Sequence, residues 1–363
     1  MTKKKAALSI ACIMFIFGFF ISGLVVHAAT IEIRVGNHDT EKHPMFQKGF
    51  LPWSAEIEKR TKGQVKFKWY HGGSLVKANQ LHEAVKNGVI DMAMFVPVWA
   101  QESKFPVTRS FNLPFLFESG IQANLTTYKI LTTVPEYKKE FDGLKILAVH
   151  NIDALNLHLV VPGPKKMEDM KGLPLFGGSK TAVQIIQLLG GAPRAIKAED
   201  VTMSLQRGDI KGVLFPTTPL AAFKLTDMVN HHVIIRAASA VQPTAMNLDK
   251  WNSLPPDVQK VFEELAPSLT ILLGTLVDEG RESILSQLKK RGDDIYILPP
   301  EEKARWRKAV QPITDEWLQE MQAKGINGQK LYSNINMLAK ENQHPQIKPA
   351  AWWPANWKRE EIK

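Results

Sequence analysis

The segment FQKGFLPWSAEIEKRTKGQVKFKWY (residues 46–70) decides the fold class, because it joins a helix directly to a strand. Its first half places apolar residues at spacings of four, three and four, which is one face of a helix: Phe46, Phe50, Trp53 and Ile57. Pro52 is expected to kink this helix or to end its first turn. In the second half VKFKWY alternates with period two, so it predicts a half-buried strand.

The same alternation of strand and helix recurs along the chain. Further strands are predicted at IEIRVG (31–36), VIDMAMF (89–95), KILAVH (145–150), LNLHLVV (155–161) and GVLFP (212–216). Further helices are predicted at residues 80–87, TAVQIIQLLGG (181–191), VTMSLQRGD (201–209), residues 256–291 (bent at Pro267 if continuous) and EEKARWRKAVQPITDEWLQEMQAKG (301–325). Repeated strand–helix units followed by long helices predict two α/β lobes with a cleft between them.

The N-terminus has the layout of a secretory signal peptide. Lys3, Lys4 and Lys5 precede an apolar run over residues 6–21, and a small-residue exit follows near Ala28. This layout predicts cleavage after Ala28 and export to the periplasm. The apolar run is longer than usual, so an uncleaved membrane anchor is the alternative.

Composition narrows the class of protein further. Cleavage leaves 335 residues without a cysteine, because the only one is Cys12, and the formal charge falls from +10 to +7. A chain of this length does not need disulfides to stabilise a core, and it is long enough for two lobes. The remaining basic residues are scattered, without the interleaved aromatics of a nucleic-acid site, so no nucleic-acid partner is predicted.

Motifs for catalysis, cofactors or metals are close to absent. GLPLFGGSK (172–180) looks like a phosphate loop, but position 178 is glycine where the P-loop needs its lysine. His82-Glu83 lacks the second histidine of a zinc helix, since Lys86 stands there, and the adjacent pair His231-His232 diverges on a strand. The sequence therefore predicts no enzyme, no cofactor and no metal site.

Six stretches, taken in order, carry a family resemblance. They are HPMFQKGFLPWSAEIEKRTKGQVKFKWYHGGSL (43–75), AVKNGVIDMAMF (84–95), LPFLF (113–117), MEDMKGLPLFGGS (167–179), VTMSLQRGDIKGV (201–213) and NLDKWNSLPPDVQKVFEEL (247–265). On these motifs the mature chain resembles the substrate-binding proteins of tripartite ATP-independent periplasmic (TRAP) transporters. The resemblance covers roughly residues 30 to 335.

The resemblance implies an α/β, two-lobed periplasmic solute-binding protein fold with a hinge and a long helix spanning both lobes. The predicted division of the chain is a signal peptide (1–28), lobe 1 (30–152 plus about 243–280), lobe 2 (153–242 plus about 281–342) and a C-terminal tail (343–363). The tail carries three tryptophans at positions 352, 353 and 357, which are expected to pack back onto a lobe, with a partner or membrane contact as the alternative.

The resemblance also implies candidate ligand contacts, transferred position by position. The matched positions are Asn37 at the end of the first strand, Lys77 after the second strand, Val96 and the nearby Trp99 after DMAMF, Asn156 after the hinge, Phe176 and Ser179 in GLPLFGGS, and Phe215 in GVLFP. In the family, the position of Phe176 normally holds an arginine that forms a bidentate ion pair with the substrate carboxylate. Asn156 matches a second basic residue and Phe215 an asparagine. The alternative is that the two phenylalanines are core residues.

By resemblance, the protein captures a small solute between its lobes and presents it to the small and large membrane subunits of a TRAP transporter, which an ion gradient drives. A monomer is expected. A receptor for a sensor kinase or another transporter remains an alternative, as does a secreted two-lobed enzyme. Because neutral residues replace the usual cations, the expected ligand is an aromatic or branched apolar compound or monocarboxylate rather than a simple dicarboxylate, with Lys77 as the nearby cation.

Overall fold

A computed structural model describes residues 30–354 of the chain, except for the side chains of residues 100–102. The predicted signal peptide, its cleavage site near Ala28 and the tail residue Trp357 lie outside this range. Between residues 30 and 354, no helix is both long and apolar enough to cross a membrane.

The first sheet, which defines lobe 1, has five strands in the order β2-β1-β3-β10-β4. Its strands are β1 (Ile31–Asn37), β2 (Val65–Tyr70), β3 (Met92–Met94), β4 (Leu144–Asn151) and β10 (Val241–Asn247). β1 is parallel to β2 and β3, whereas β10 is antiparallel to both β3 and β4. A late strand is therefore inserted among earlier ones.

The second sheet, which defines lobe 2, has six strands in the order β11-β9-β5-β8-β6-β7. Its strands are β5 (Leu155–Leu159), β6 (Pro174–Gly177), β7 (Ala192–Arg194), β8 (Gly212–Pro216), β9 (His231–Ile234) and β11 (Asp294–Ile297). β5 runs antiparallel to β8 and β9, and the β6–β7, β6–β8 and β9–β11 pairs are parallel.

Helices cover both sheets. In the described part of the chain they are α1 (Leu51–Arg60), α2 (Leu81–Lys86), α3 (Pro97–Gln101), α4 (Gly120–Thr133), α5 (Pro135–Glu140), α6 (Lys180–Leu188), α7 (Val201–Arg207), α8 (Leu248–Ser253), α9 (Pro256–Arg291), α10 (Pro300–Ala309), α11 (Gln311–Ala323) and α12 (Gly328–Glu341). The predicted two-lobed α/β class is confirmed.

Between β1 and β11 the chain crosses between the lobes three times. Residues 152–154 lead from β4 to β5, residues 235–240 lead from β9 to β10, and α9 packs on β4 at one end and β11 at the other. α9 continues through Pro267, although the proline removes one main-chain hydrogen bond, and it ends at Gly292 in the left-handed region at φ 99°. Two crossing strands and one long helix therefore form the hinge.

The C-terminal helices contact both lobes. On α11, Trp317 Nε1 donates to Pro106 O of lobe 1 at 2.8 Å, while Glu316 accepts hydrogen bonds from Lys180 and Gln184 on α6 of lobe 2 at 2.8 Å each. The predicted boundary that assigns residues 281–342 to lobe 2 stays a prediction.

The C-terminal tail packs back onto lobe 1. Trp353 is buried in the core formed with α1 and α9, and Trp352 Nε1 donates to Ser268 Oγ on α9 at 3.2 Å. A buried indole contributes a large apolar surface, so the tail is part of the lobe 1 core.

We expect Trp353→Ala to lower the free energy of unfolding by about 3 kcal/mol, because it leaves a cavity in that core. Chemical denaturation of the purified variant measures the loss. Met337→Ala, at an exposed position of α12, is the matched control and should change stability by less than about 0.5 kcal/mol. Equal effects of the two substitutions would show that the tail does not stabilise lobe 1.

Candidate functional site

The registers place the ends of four parallel strands beside the hinge. In lobe 1, β10 leaves the hinge and pairs with β3, so β3 and its neighbour β1 end next to the hinge. In lobe 2, β5 leaves the hinge with Leu155 opposite Pro216, so β8 and its neighbour β6 also end there. Ligands of open α/β sheets bind at the carboxyl ends of the strands, and this edge of both sheets is therefore the candidate site.

On lobe 2, the candidates Phe176 and Phe215 meet at Gly178. A Cβ atom on Gly178 would lie 3.5 Å from Phe176 Cε1 and 4.0 Å from Phe215 Cε2. Phe215 is half-buried, and its ring packs edge-on against exposed Phe223 with 5.0 Å between ring centroids. Glycine at 178 places no side chain over the edges of Phe176 and Phe215. We call the pair Phe215 and Phe223 the aromatic wall.

Phe176 itself lies mostly beneath that wall. Its side chain is 6% exposed and belongs to a small apolar cluster under α7. The other buried members of the cluster are Val201, Leu205, Ile210, Val213, Leu220 and Leu225. Phe215 and Phe223 therefore supply the accessible aromatic faces, and Phe176 supports them from behind.

Ser179 caps helix α6. Its Oγ accepts a hydrogen bond from Ala182 N at 3.2 Å, which satisfies one of the free N–H groups of the first helical turn. The residue is exposed, so its hydroxyl donor still faces solvent. The glycine-rich turn before it forms a strand-to-helix connection at the edge of the aromatic wall.

On lobe 1, Asn37 is buried at the end of β1. Its Oδ1 accepts from Asp39 N at 2.9 Å, and its Nδ2 lies 3.4 Å from His71 Nδ1. Val96 is buried just after β3, and its carbonyl accepts from Trp99 N at 3.0 Å. These candidates form a second group, separate from the aromatic wall on lobe 2.

Two exposed candidates flank that group. The Trp99 side chain is 48% exposed and packs edge-on against His38 with 5.3 Å between ring centroids. Lys77 is exposed at the start of the turn Ala78–Gln80. Both side chains can move toward a ligand without breaking a core contact.

Asn156 ties the hinge together. Its Nδ2 donates to Thr217 Oγ1 at 3.0 Å and to Ala154 O at 3.2 Å, and its Oδ1 accepts from the backbone N–H groups of Ile235 (3.0 Å) and Arg236 (2.9 Å). Both donor hydrogens and both acceptor positions of the amide are used within the protein. In this conformation its side chain has no remaining hydrogen-bonding capacity for a ligand.

Buried charges on α9 join the two lobes at the hinge. The Arg281 guanidinium contacts Asp278 Oδ1 at 2.9 Å and Asp153 Oδ1 at 3.3 Å. Asp278 also accepts from Gly120 N of lobe 1 at 2.8 Å, and Asp153 from Thr217 N of lobe 2 at 3.0 Å. Burial raises the pKa of Asp153 despite the nearby Arg281. The charge network thus links one end of α4 to the loop after β8.

A small recess lies at this hinge, lined among others by Asp153, Arg236, Ser239 and Arg281. None of the eight candidate residues lines it. Arg236 stands in the left-handed region at φ 52° and donates to Glu118 O. Within residues 30–354, no group of three or more His, Cys, Asp or Glu side chains is arranged to hold a metal ion.

Sequence reasoning missed several polar residues on the hinge side of lobe 1. His150, the last residue but one of β4, lies opposite Gln242 on β10, and Thr244 follows two residues later on β10. His150 Nδ1, Gln242 Nε2 and Thr244 Oγ1 are buried without a hydrogen-bond partner among the described residues. Only the strand registers bring these residues together, so no local motif could have revealed them.

Most of the chain matches a known protein family. The model described as bacterial extracellular solute-binding protein, family 7 (DctP) matches residues 35–321. A C4-dicarboxylate-binding periplasmic protein from Rhodobacter capsulatus is 25% identical over 290 residues, which cover 77% of this chain and 84% of that protein.

Solved structures agree. A TRAP periplasmic solute-binding protein from Desulfovibrio salexigens superposes with a TM-score of 0.79 at 25% identity, covering 86% of this chain and 97% of the other. A TRAP solute-binding protein from Rhodoferax ferrireducens, in complex with copurified benzoate, has a TM-score of 0.76 at 20% identity, covering 86% of this chain and 98% of the other.

Proposed function

This chain belongs to the bacterial extracellular solute-binding proteins of family 7, and we propose that it delivers an aromatic or branched apolar monocarboxylate to a TRAP transporter. The protein is a TRAP-type solute receptor, and such receptors work with membrane subunits. The finer points of the proposal are a cleaved signal peptide near Ala28, a monomeric receptor in the periplasm, and capture without catalysis.

The aromatic wall on lobe 2 is the main support for the proposed class of ligand. Phe215 is half-buried near the end of β8, at a position where the family resemblance implies a polar ligand contact, and exposed Phe223 packs against it from the following turn. An aromatic or branched ligand gains contact with such rings, whereas a second carboxylate would lose water there without an ionic partner. The benzoate complex of the Rhodoferax protein supports an aromatic acid for this fold, and the Rhodobacter relative supports the competing class, C4-dicarboxylates.

One carboxylate needs one cation, and two exposed side chains are placed to supply it. Lys77 stands on lobe 1 beside the candidate group. Arg194 ends β7 on lobe 2, and the register places it opposite Phe176. An arginine on the neighbouring strand can replace one missing from position 176, since its planar guanidinium binds a carboxylate with two parallel hydrogen bonds.

Closure of the two lobes about the hinge would then capture the ligand. A ligand that touches the lobe 2 wall and the Asn37 group on lobe 1 contacts both lobes only when they close. Closure rotates the lobes about residues 152–154 and 235–240, which Asn156 and Arg281 hold in place. Val96 and Trp99 close one side of the ligand, and Ser179 supplies a hydroxyl at the edge.

A ligand panel tests the proposal. We expect benzoate, phenylacetate or a branched monocarboxylate to raise the melting temperature, and succinate and malate to leave it unchanged. A ligand at a thousand times its dissociation constant adds about 4 kcal/mol to the free energy of unfolding. Thermal denaturation gives the ranking, and calorimetric titration gives the affinities.

Two matched variants identify the cation. Lys77→Ala and Arg194→Ala remove exposed side chains that carry no core contact, so folding should be unaffected. The variant that removes the carboxylate partner should weaken monocarboxylate binding about tenfold. Tight succinate binding that neither substitution alters would contradict the proposed ligand class.

A further inference from the structure

A set of polar side chains forms one face of the lobe 1 sheet beside the hinge. The registers pair Asn37 with Met94 and Met94 with Thr244, so these side chains point to the same side of the sheet. Gln242 lies two residues before Thr244 and pairs with His150, which adds both to that side. We call Asn37, His150, Gln242 and Thr244 the polar face.

Three atoms of the polar face have no partner among the described residues. His150, Gln242 and Thr244 are 6%, 2% and 0% exposed, and His150 Nδ1, Gln242 Nε2 and Thr244 Oγ1 make no hydrogen bond. A buried polar atom without a partner costs on the order of 1–3 kcal/mol, so three on one face indicate a missing partner. Above them, His38 also has an unpartnered buried Nδ1.

The electrostatics of the face favour a neutral partner. Burial lowers the pKa of His150 to about 4, so its imidazole is uncharged at neutral pH. The loop above carries Asp39, whose carboxylate lies 3.5 Å from His38 Nε2. A ligand carboxylate here would meet that negative charge and no cation from the face itself, whereas a hydroxyl can accept from the Gln242 amide and donate to His150 or Thr244.

We infer that the polar face binds a hydroxyl group of the solute, which makes the physiological ligand a hydroxylated aromatic acid. The inference rests on the proposed function and adds to it. The aromatic wall on lobe 2 contacts the ring of the ligand, and one exposed cation binds its carboxylate. The polar face forms hydrogen bonds with its hydroxyl group. A site built around buried polar groups rejects a ligand that leaves them unpaired, so the hydroxyl determines specificity.

Paired ligands test this inference. Calorimetric titration compares benzoate with 3-hydroxybenzoate and 4-hydroxybenzoate on the full mature protein. We expect at least one hydroxy isomer to bind about tenfold more tightly than benzoate. In His150→Leu and Gln242→Met that preference should fall to less than about twofold. The ratio of two ligands on one variant is insensitive to partial unfolding.

Ser239→Ala is the matched control, because Ser239 Oγ is another unpartnered buried hydroxyl but lies in the hinge recess. It should keep the full preference. Equal binding of benzoate and both hydroxybenzoates to the wild type overturns the inference and leaves the proposed function standing. So does a preference that His150→Leu and Gln242→Met retain.

If none of the three aromatic acids binds, the aromatic ligand class of the proposed function is wrong. D-Glucuronate, a hydroxyl-rich acid without an aromatic ring, then tests the polar face separately on the same variants. A loss of glucuronate affinity of about tenfold in His150→Leu retains a hydroxyl site on lobe 1. Unchanged affinity, or no binding of any of the four acids, overturns the polar face as a ligand site.

Discussion

Arg281→Met is expected to lower the free energy of unfolding by about 3–5 kcal/mol. Arg281 is the cation between Asp153 and Asp278, and all three side chains are buried. Methionine fills a similar volume but leaves two carboxylates close together without a counter-charge. Because Asp153 and Asp278 also accept backbone hydrogen bonds from opposite lobes, we expect the loss to affect the hinge first. Urea denaturation measures the change.

The matched control is Arg60→Met on α1. Arg60 also bridges two carboxylates, Glu56 at 2.8 Å and Glu264 at 3.4 Å, but on the exposed surface. Exposed pairs contribute at most about 1 kcal/mol, so this variant should be nearly as stable as the wild type. Replacing Asp153 and Asp278 by asparagine in the Arg281→Met background should recover part of the loss. A cost for Arg281→Met no larger than that of Arg60→Met would contradict the argument.

Acidification is expected to destabilise the protein steeply below about pH 6.5. In lobe 2, His158 Nδ1 and His232 Nδ1 lie 2.8 Å apart, and His232 Nε2 lies 2.8 Å from Asp293 Oδ2. This chain of hydrogen bonds is satisfied when both rings are neutral, with His232 Nε2–H donating to Asp293 and His158 Nδ1–H donating to His232 Nδ1. Protonating His232 would set its Nδ1–H against that of His158, and protonating His158 would place a charge on a fully buried ring. Burial lowers the pKa of His158 to about 3, and burial also lowers the pKa of His232 despite Asp293.

Stability falls on acidification because the unfolded chain takes up more protons than the folded protein. Below about pH 6.5 the unfolded chain binds protons at these histidines and the folded protein does not, so stability is lost as the pH falls toward the folded pKa. Each such histidine adds up to about 1.4 kcal/mol per pH unit to the slope, and His150, with a pKa of about 4, acts in the same direction. From His158 and His150, whose folded pKa values are about 3 and about 4, a loss of roughly 3 kcal/mol is expected between pH 6.5 and pH 5.

Urea midpoints at pH 5, 6, 7 and 8 measure this dependence. His158→Leu/His232→Leu removes the pair and should flatten the slope below about pH 6.5, whereas His344→Leu on the surface should leave it unchanged. The same slope in the double variant as in the wild type would show that the histidine pair does not control acid stability.

Helix and strand periods were readable wherever one face of an element is buried. Phe46, Phe50, Trp53 and Ile57 are all buried, as their spacing predicts. The chain first makes a wider π-helical turn (Phe46–Phe50), and α1 then begins at Leu51 with Pro52 in its first turn, where the missing N–H has no helical partner to lose. The proline therefore marks the start of a regular helix.

Other boundaries depended on contacts that no local pattern contains. The helix predicted over residues 301–325 divides at Val310 into α10 and α11, with Pro312 in the first turn of the second helix. The strand predicted over residues 89–95 shortens to Met92–Met94, because β3 can extend only as far as its pairing with β1 and β10.

The site was less predictable than the fold because a polar residue can either bind a ligand or form hydrogen bonds within the protein. Asn156 resembles a ligand contact in sequence, yet its partners Thr217, Ile235 and Arg236 lie 61 to 80 residues away. Together with the nearby Ala154 carbonyl they use its whole amide. Conversely, His150 lies within a predicted strand and draws attention only when its cross-strand neighbour Gln242 is known. The spacing of hydrophobic residues indicates which positions are buried. Only the pairing of the strands shows which buried polar atoms lack a hydrogen-bond partner.

The position of β10 delays completion of the first sheet as the chain emerges from the ribosome or the export channel. Five of the six strands of the second sheet lie between residues 155 and 234, whereas the first sheet needs residues 241–247 to fill the space between β3 and β4. Until then β3 and β4 present open edges, which readily pair with other chains. Domains usually fold in the order of synthesis, but here the first sheet cannot close until five strands of the second sheet have emerged, and the second sheet then waits for β11 (Asp294–Ile297).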